Sequence, residues 1–225
     1  MSLLFQPMPL QTRVAAFDDG NFVFEVKLDG FRALAVIEHG RAQMVSRNGH
    51  RFTSFTDLAS DIAVAIRDKQ TVLDGEIVCL DKKGRPQFRD LLFHRGIPCF
   101  FAFDILFYNG KDWRSEPLMD RKQELRRLLS KVPADSRLHY VGHIDGTGTA
   151  LFERVCELDL EGVVAKYRSG QYITDRENST WFKIRNRKCS QMAGREKLFD
   201  RERHREPVPG WHSCVLACVE LEEAS

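Results

Sequence analysis

The chain has 225 residues and a mass of 26.0 kDa, enough for one large domain with a sizeable core. Apolar residues make up 43% and charged residues 29% of it, a balance that excludes an intrinsically disordered chain. With 34 Lys and Arg against 32 Asp and Glu, the formal charge of +2 excludes a polybasic protein that traps its partners over its whole surface.

From Asn21 to Ser46 the sequence reads as strand, turn, strand. Phe22, Phe24 and Val26 alternate with Val23, Glu25 and Lys27, the period of a strand with one buried face. Strands at Phe31–Glu38 and Gln43–Ser46 follow, with Asp29-Gly30 and His39-Gly40 predicted as tight turns. Leu58, Ile62 and Ile66 form one stripe and predict a helix over Asp57–Arg67. Thr71–Leu80 returns to strand and ends in a turn at Asp81–Gly84. Cys99–Phe107 is a nearly continuous apolar run, suited to a central strand covered on both faces. Helices are predicted at Asp120–Ser130 through Leu125, Leu128 and Leu129, and at Gly148–Leu158 through Leu151, Phe152 and Val155. Gly162–Tyr167 and Thr180–Ile184 read as two further short strands. Meanders with interspersed helices, rather than alternating βαβ units, predict an α+β fold of antiparallel sheets packed with helices.

The composition changes after Arg185. Asn186–Glu206 holds seven basic residues against four acidic ones and reads as a helix stopped by Pro207 and Pro209-Gly210. His212–Leu221 reads as a final strand, and residues 188–225 are too few for another full domain. The expected organisation is therefore a main domain over 1–187 with a basic extension over 188–225 packed on it. No apolar run reaches the length of a membrane span, and Met1–Leu10 lacks the layout of a signal peptide. A cytoplasmic protein with no membrane partner is expected. No coiled-coil pattern is present, so a monomer is expected.

Cysteines at 79, 99, 156, 189, 214 and 218 are scattered through apolar runs without the paired spacing of a zinc site. Cys214 and Cys218, near His212, read better as part of the final strand than as ligands. The seven histidines show no spacing that suggests a triad or a metal cluster.

Chemistry concentrates at the ends of the apolar runs. Lys27-Leu-Asp29-Gly30-Phe-Arg32 places an amine, a carboxylate and a guanidinium at one sheet edge. Asp29-Gly30 alone would be a solvated turn. Glu76 in Leu73–Val78, Asp104 in Phe101–Ile105, Glu161 and Lys166 around Gly162–Ala165, and Lys183 in Trp181–Arg185 each put a charge where burial is expected. Such charges are costly unless they are paired or used. Any one of them alone is as readily a structural salt bridge.

Taken together and in this order, with Ser46-Arg47-Asn48-Gly49 between the first two, these segments resemble the nucleotidyltransferase domain shared by ATP-dependent DNA ligases, RNA ligases and mRNA capping enzymes. The resemblance is greatest to the ligase domain of bacterial end-joining ligases and spans about Asn21–Arg187. It implies a covalent nucleotidyltransferase core, ATP-grasp-like, with two antiparallel sheets flanked by helices. It implies an ATP-dependent ligase that seals nicks between 3′-hydroxyl and 5′-phosphate ends, favouring a ribonucleotide on the 3′-hydroxyl side.

Under that resemblance, Lys27 attacks the α-phosphorus of ATP and forms lysyl-AMP, with Asp29 and Arg32 beside it in the same motif. A free lysine is protonated at neutral pH, so cations, a metal or burial must first deprotonate it. Glu161, with Glu76, is the expected ligand set for Mg2+ or Mn2+. Lys183 and Arg185, alternate residues of one strand, face the α-phosphate, and Lys166 belongs to the same nucleotide site. Glu76 accepts a ribose hydroxyl, Phe103 stacks on adenine, and Glu25 helps read the adenine amino group. Arg32 and Arg47 hold ribose and the incoming 5′-phosphate. The nucleic-acid partner, a nicked duplex, is expected to meet Arg47, Lys188, Arg195, Lys197, Arg201 and Arg203. The segment Arg187–Arg205 would take over part of the grip of the oligonucleotide-binding domain that follows this point in the family. One departure is Arg185, where the family motif ends in lysine. Two other classes fit parts of the pattern: a capping-type guanylyltransferase, and a nucleotide-responsive module that binds nucleic-acid ends without joining them. The intact set of Lys27, Glu76, Glu161 and Lys183 argues against the last, because a binding module has no need of a nucleophile.

Overall fold

The computed structural model of the chain describes residues 5–67 and 70–190. The helix expected after Asn186, the strand expected at 212–221, and the cations Arg195, Lys197, Arg201 and Arg203 lie outside the described residues. Strands and helices are numbered in chain order. One sheet runs β1 (Gln11–Thr12), β11 (Trp181–Arg185), β10 (Gly162–Tyr167), β2 (Asp18–Val26) and β9 (Ile144–Thr147) from edge to edge. The other runs β4 (Arg41–Ser46), β3 (Phe31–Glu38), β5 (Thr71–Cys79), β6 (Pro98–Tyr108) and β7 (Lys111–Asp112), with β8 (Leu138–Tyr140) pairing β6. All pairings are antiparallel except β1 with β11 and β6 with β8. The helices are α1 (Thr56–Ile66), α2 (Phe88–Leu92), α3 (Leu118–Leu129) and α4 (Gly148–Glu157). The expected α+β class stands. Among the described residues, no helix is long and apolar enough to cross a membrane.

Strand alternation divides each sheet into two faces with different work. On the first sheet, Phe24, Ala165 and Phe182 form one cross-strand row and Val26, Val163 and Ile184 another. These rows pack with Val155, Leu151 and Phe152 of α4 into one apolar cluster. On the second sheet, Ala33, Ala35, Ile37, Leu73, Ile77 and Phe100 point the other way, toward Leu58 and Ile62 of α1 and Leu125 of α3, and form the largest cluster. The remaining faces of the two sheets meet. Val23 and Trp181 from the first sheet join Leu34, Val72 and Leu106 from the second in a shared core. That core closes the space between the sheets at one end and leaves it open at the other.

Two local features differ from the sequence reading. Asp29-Gly30 is not a hairpin turn: β2 and β3 belong to different sheets, and residues 27–30 carry the chain across. Gly30 is needed for close approach, since a Cβ built on it would lie 2.0 Å from the Ile77 carbonyl oxygen. His39-Gly40, by contrast, is the expected hairpin turn, with φ of 50° and 71°. The second feature lies within the apolar run of β6. Asp104 pairs with Asp74 and Ala102 with Gly75, so Phe103 is an extra, bulged residue.

Candidate active site

The register of the first sheet collects the charges that the sequence scatters. Residues directly opposite in neighbouring strands share a face. Val23, Lys166 and Trp181 make one row, and Glu25, Val164 and Lys183 the next. Lys27 continues the ladder beyond β2 by donating its backbone N–H to the Gly162 carbonyl at 2.8 Å, and Gly162 pairs with Arg185. Lys27 and Arg185 therefore end the same face. Arg32 and Glu76 are paired across the second sheet, on the face turned toward the first. Between the sheets lies a cavity that opens to solvent. Glu25, Lys27, Val164, Lys166 and Trp181 line it from one sheet, and Arg32, Glu76 and Phe103 from the other. The bulge turns Phe103 into this space, with its ring centroid 5.9 Å from that of Trp181.

Lys27 Nζ donates to Glu161 Oε2 at 2.7 Å, and both side chains are largely buried. Burial by itself lowers the lysine pKa, but Glu161, Glu76 and Asp29 outweigh it and hold the value above the ordinary one. The carboxylates around Lys27 thus favour its protonated form. Glu76 shows the same crowding from the other side. Burial raises its pKa to about 8, with Glu161 adding to the rise while Lys27 and Arg32 oppose it.

Arg32 is committed to a partner. Its Nε and one terminal nitrogen donate to the two oxygens of Asp74 at 3.2 and 2.7 Å. Asp74 also accepts from the Tyr172 hydroxyl at 2.6 Å, and Tyr172 in turn accepts the Met8 backbone N–H at 2.8 Å. The guanidinium pKa is raised, since Asp74 outweighs the cost of burial. Glu25 is buried between two ammonium groups: Lys122 Nζ lies 2.5 Å from one oxygen and Lys166 Nζ 2.6 Å from the other. The Lys166 contact is an ion pair without the alignment of a hydrogen bond. Burial pushes the Glu25 carboxyl up, and the two lysines together hold it below its usual range.

Other expected residues fall outside the cavity. Arg47 is exposed in a tight turn, where Ser46 N–H donates to the His50 carbonyl and Gly49 N–H to that of Ser46. Lys183 shares the site face without lining the cavity, while Arg185 and Lys188 are exposed. Asp74, Lys122 and Tyr172 went unread in the sequence. A usable signal existed for Lys122 and its neighbour Arg121: both are buried beside Leu118 and Leu125, where a surface helix carries apolar residues. Arg121 donates to both oxygens of Asp104 at 2.9 Å and to the carbonyls of Glu116 and Gly170. Asp104 is thus a structural salt bridge.

Comparison with known proteins agrees with this arrangement. Residues 4–185 match the model of the ATP dependent DNA ligase domain family. The chain is 32% identical over 171 residues to the multifunctional non-homologous end joining protein LigD of Pseudomonas aeruginosa, covering 74% of this chain and 20% of that protein. It is 30% identical over 193 residues to the bifunctional LigD of Bacillus subtilis, covering 72% of this chain and 31% of that one. The chain thus spans about a fifth to a third of the length of these relatives. Among solved structures, mycobacterial DNA ligase D complexed with ATP and MES superposes with a TM-score of 0.72 at 29% identity, covering 80% of this chain and 60% of that one. The family match covers most of the chain, including every segment that builds the cavity. The chain belongs to the ATP-dependent DNA ligase domain family and has the fold of a DNA ligase nucleotidyltransferase domain.

Proposed function

We propose that the protein transfers AMP from ATP to Lys27 and then to the 5′-phosphate of a nick, which it seals. The observation that carries this reading is the position of Lys27, its Nζ 2.7 Å from Glu161 at the edge of a cavity lined by Phe103, Trp181 and Glu25. An aromatic slot ending at an amine fits a nucleotide whose base enters first and whose phosphates remain at the mouth.

In the first step the Lys27 nitrogen bonds to the α-phosphorus, the bond to pyrophosphate breaks, and the amine loses a proton. Glu161, already the acceptor of its hydrogen bond, receives or relays that proton. Lys183 and Arg185 stabilise charge on the α-phosphate. Glu76 accepts a ribose hydroxyl, Phe103 stacks on the base, and Glu25, with Lys166 beside it, takes the adenine amino group. Arg32, bound to Asp74, presents its remaining N–H groups to the cavity, and Asp29 adds to the carboxylate field around Lys27. The AMP then passes to the 5′-phosphate, and attack by the 3′-hydroxyl releases it as the strand is joined.

Glu161 and Glu76 fit a magnesium or manganese ion: their carboxyl groups interact with each other and with the Lys27 ammonium, and both are oxygen donors. Among the described residues, no group of three or more His, Cys, Asp or Glu side chains could hold an ion by itself. Phosphate oxygens and water would complete its shell, the usual habit of magnesium. When bound, such an ion supplies positive charge that offsets the phosphates and the two carboxylates.

A nucleic-acid partner is supported by exposed charge that follows the strands carrying Glu76 and Lys183. Lys82, Lys83, Arg85, Arg187 and Lys188 are exposed in the segments that follow β5 and β11, and Arg185 is exposed at the end of β11; Asp159, two residues before Glu161, interacts electrostatically with Arg85. None of the six is held in a salt bridge with another described residue. Exposed Arg127 and Arg154 elsewhere are paired with Glu124 and Glu157. Exposed cations outside salt bridges suit a phosphate backbone. Arg47, also exposed, fits the same partner, and Arg195, Lys197, Arg201 and Arg203 would extend the track.

Incubation with ATP or GTP and magnesium, then denaturation and intact-mass measurement, tests the reading. The expected result is a gain of one AMP from ATP, absent in Lys27→Ala. A GMP adduct would favour a capping enzyme. No adduct with either nucleotide would leave only an end-binding module.

A further inference from the structure

We infer that Lys122 is a positioning residue for base selection, tying Phe103 of one sheet and Glu25 of the other into a single nucleobase pocket. The inference rests on the reading that the cavity takes a purine nucleotide. Lys122 sits on α3 and is 1% exposed. A lysine so deeply buried must have its charge met and its three N–H donors used. Its Nζ has three acceptors: Glu25 Oε1 at 2.5 Å, the Val141 carbonyl at 3.2 Å and the Phe103 carbonyl at 3.4 Å.

Those acceptors come from separately built parts of the fold. Glu25 belongs to β2 in the first sheet, Phe103 to the bulge of β6 in the second, and Val141 to the segment after β8. Each sheet's ladder fixes its own residue only within that sheet. The distance between the stacking ring and the hydrogen-bonding carboxylate depends on contacts that span the two, and Lys122 hydrogen-bonds to both. Lys122 does not line the cavity, so it acts through these residues rather than on a ligand.

Charge gives the tie a chemical consequence. Lys122 and Lys166 each engage one oxygen of Glu25, which keeps the carboxylate ionised and fixes its plane. A carboxylate has more lone pairs than these two contacts use, so it can still accept from the exocyclic amino group of adenine. Guanine would present its carbonyl oxygen at the same place, lone pair against lone pair. A site built to meet one hydrogen-bonding pattern rejects the reversed one strongly. Without Lys122, Glu25 can turn or take up a proton and become a donor, and the distinction between the two bases weakens.

The test is single-turnover self-nucleotidylation of the full chain with ATP and with GTP, comparing Lys122→Met with the parent. Lys122→Met should raise the half-saturating ATP concentration about tenfold or more. Its limiting rate should stay within about threefold, and its preference for ATP over GTP should fall at least about tenfold. A folded variant with the parent's half-saturation and preference would overturn the inference. Should Lys122→Met not fold, Glu25→Gln/Lys122→Met is compared with Glu25→Gln. Equal base preference in those two proteins supports action through Glu25, and a further additive loss overturns it. A parent chain that takes up neither nucleotide removes the functional reading itself, whereas a parent that takes up AMP beside an unchanged variant removes only the role of Lys122.

Discussion

Replacing Lys166 with methionine should stabilise the folded protein at neutral pH while impairing its chemistry. Lys166 is 1% exposed. Burial drives its pKa from the ordinary 10.5 down to about 8, with Glu25 pulling it partly back and the Lys122 ammonium repelling it further. Below about pH 8 folded and unfolded chains both carry this charge, and the folded state bears the full cost of keeping it in the interior. Between about 8 and 10.5 the unfolded chain binds more protons than the folded one, so this group makes stability rise with pH. The gap between the two pKa values corresponds to roughly 3 kcal/mol. Against it stand the attractions of Nζ for the Phe103 and Trp181 rings, whose centroids lie 4.2 and 4.0 Å away. Those are worth about 1 to 2 kcal/mol together and are absent from the variant. Glu25 keeps Lys122 as its counter-charge, and methionine fills most of the vacated volume. A net gain of about 1 to 2 kcal/mol at neutral pH remains. Urea unfolding followed by circular dichroism, at about pH 7 and about pH 10, reads both the gain and its decline as the parent loses its buried proton. A variant less stable than the parent at neutral pH, or a difference unchanged between the two conditions, would refute the reasoning.

Gly30→Ala should destabilise the fold by at least roughly 1–3 kcal/mol, because its Cβ would meet the Ile77 backbone carbonyl at 2.0 Å and backbone cannot step aside. Urea unfolding checks it, and a neutral result would mean that the crossing between the sheets is loose enough to admit a methyl group. Reversing charge in the segments after β5 or β11 with Lys82→Glu/Lys83→Glu or Arg187→Glu/Lys188→Glu should weaken binding of a nicked duplex. It should also flatten the dependence of log affinity on log salt by about one for each phosphate the protein no longer neutralises, with self-adenylylation intact. Parental affinity and salt slope in both charge-reversed proteins would exclude these segments from the interface.

Local pattern determined a good deal of this protein. Alternation in Phe22–Val26, the apolar run of β6 and the leucine stripe of α3 each record which way successive side chains point, and secondary structure follows from that. The strands Phe31–Glu38 and Gly162–Tyr167 have the bounds read from the sequence. Charges at the ends of those runs marked Lys27, Glu76, Glu161 and Lys166, because a charge in a buried element demands a reason. The short strands β1, β7, β8 and β9 escaped notice, being two to four residues long with no period to read. Asp29-Gly30 misled for a related reason: a turn dipeptide fixes local geometry but not which sheet the next strand joins. That choice is made by β5, which pairs with β3 and leaves β2 to β10. Cross-strand register likewise set Phe103 into a bulge, since the extra residue exists only relative to a partner strand. The buried lysines on Glu25 and the ion pair of Lys27 depend on charges as far apart in sequence as Glu25 and Lys166, or Lys27 and Glu161. Side-chain direction is a local property of the backbone and can be read along the chain, whereas an electrostatic field depends on distances through space that only the folded chain sets.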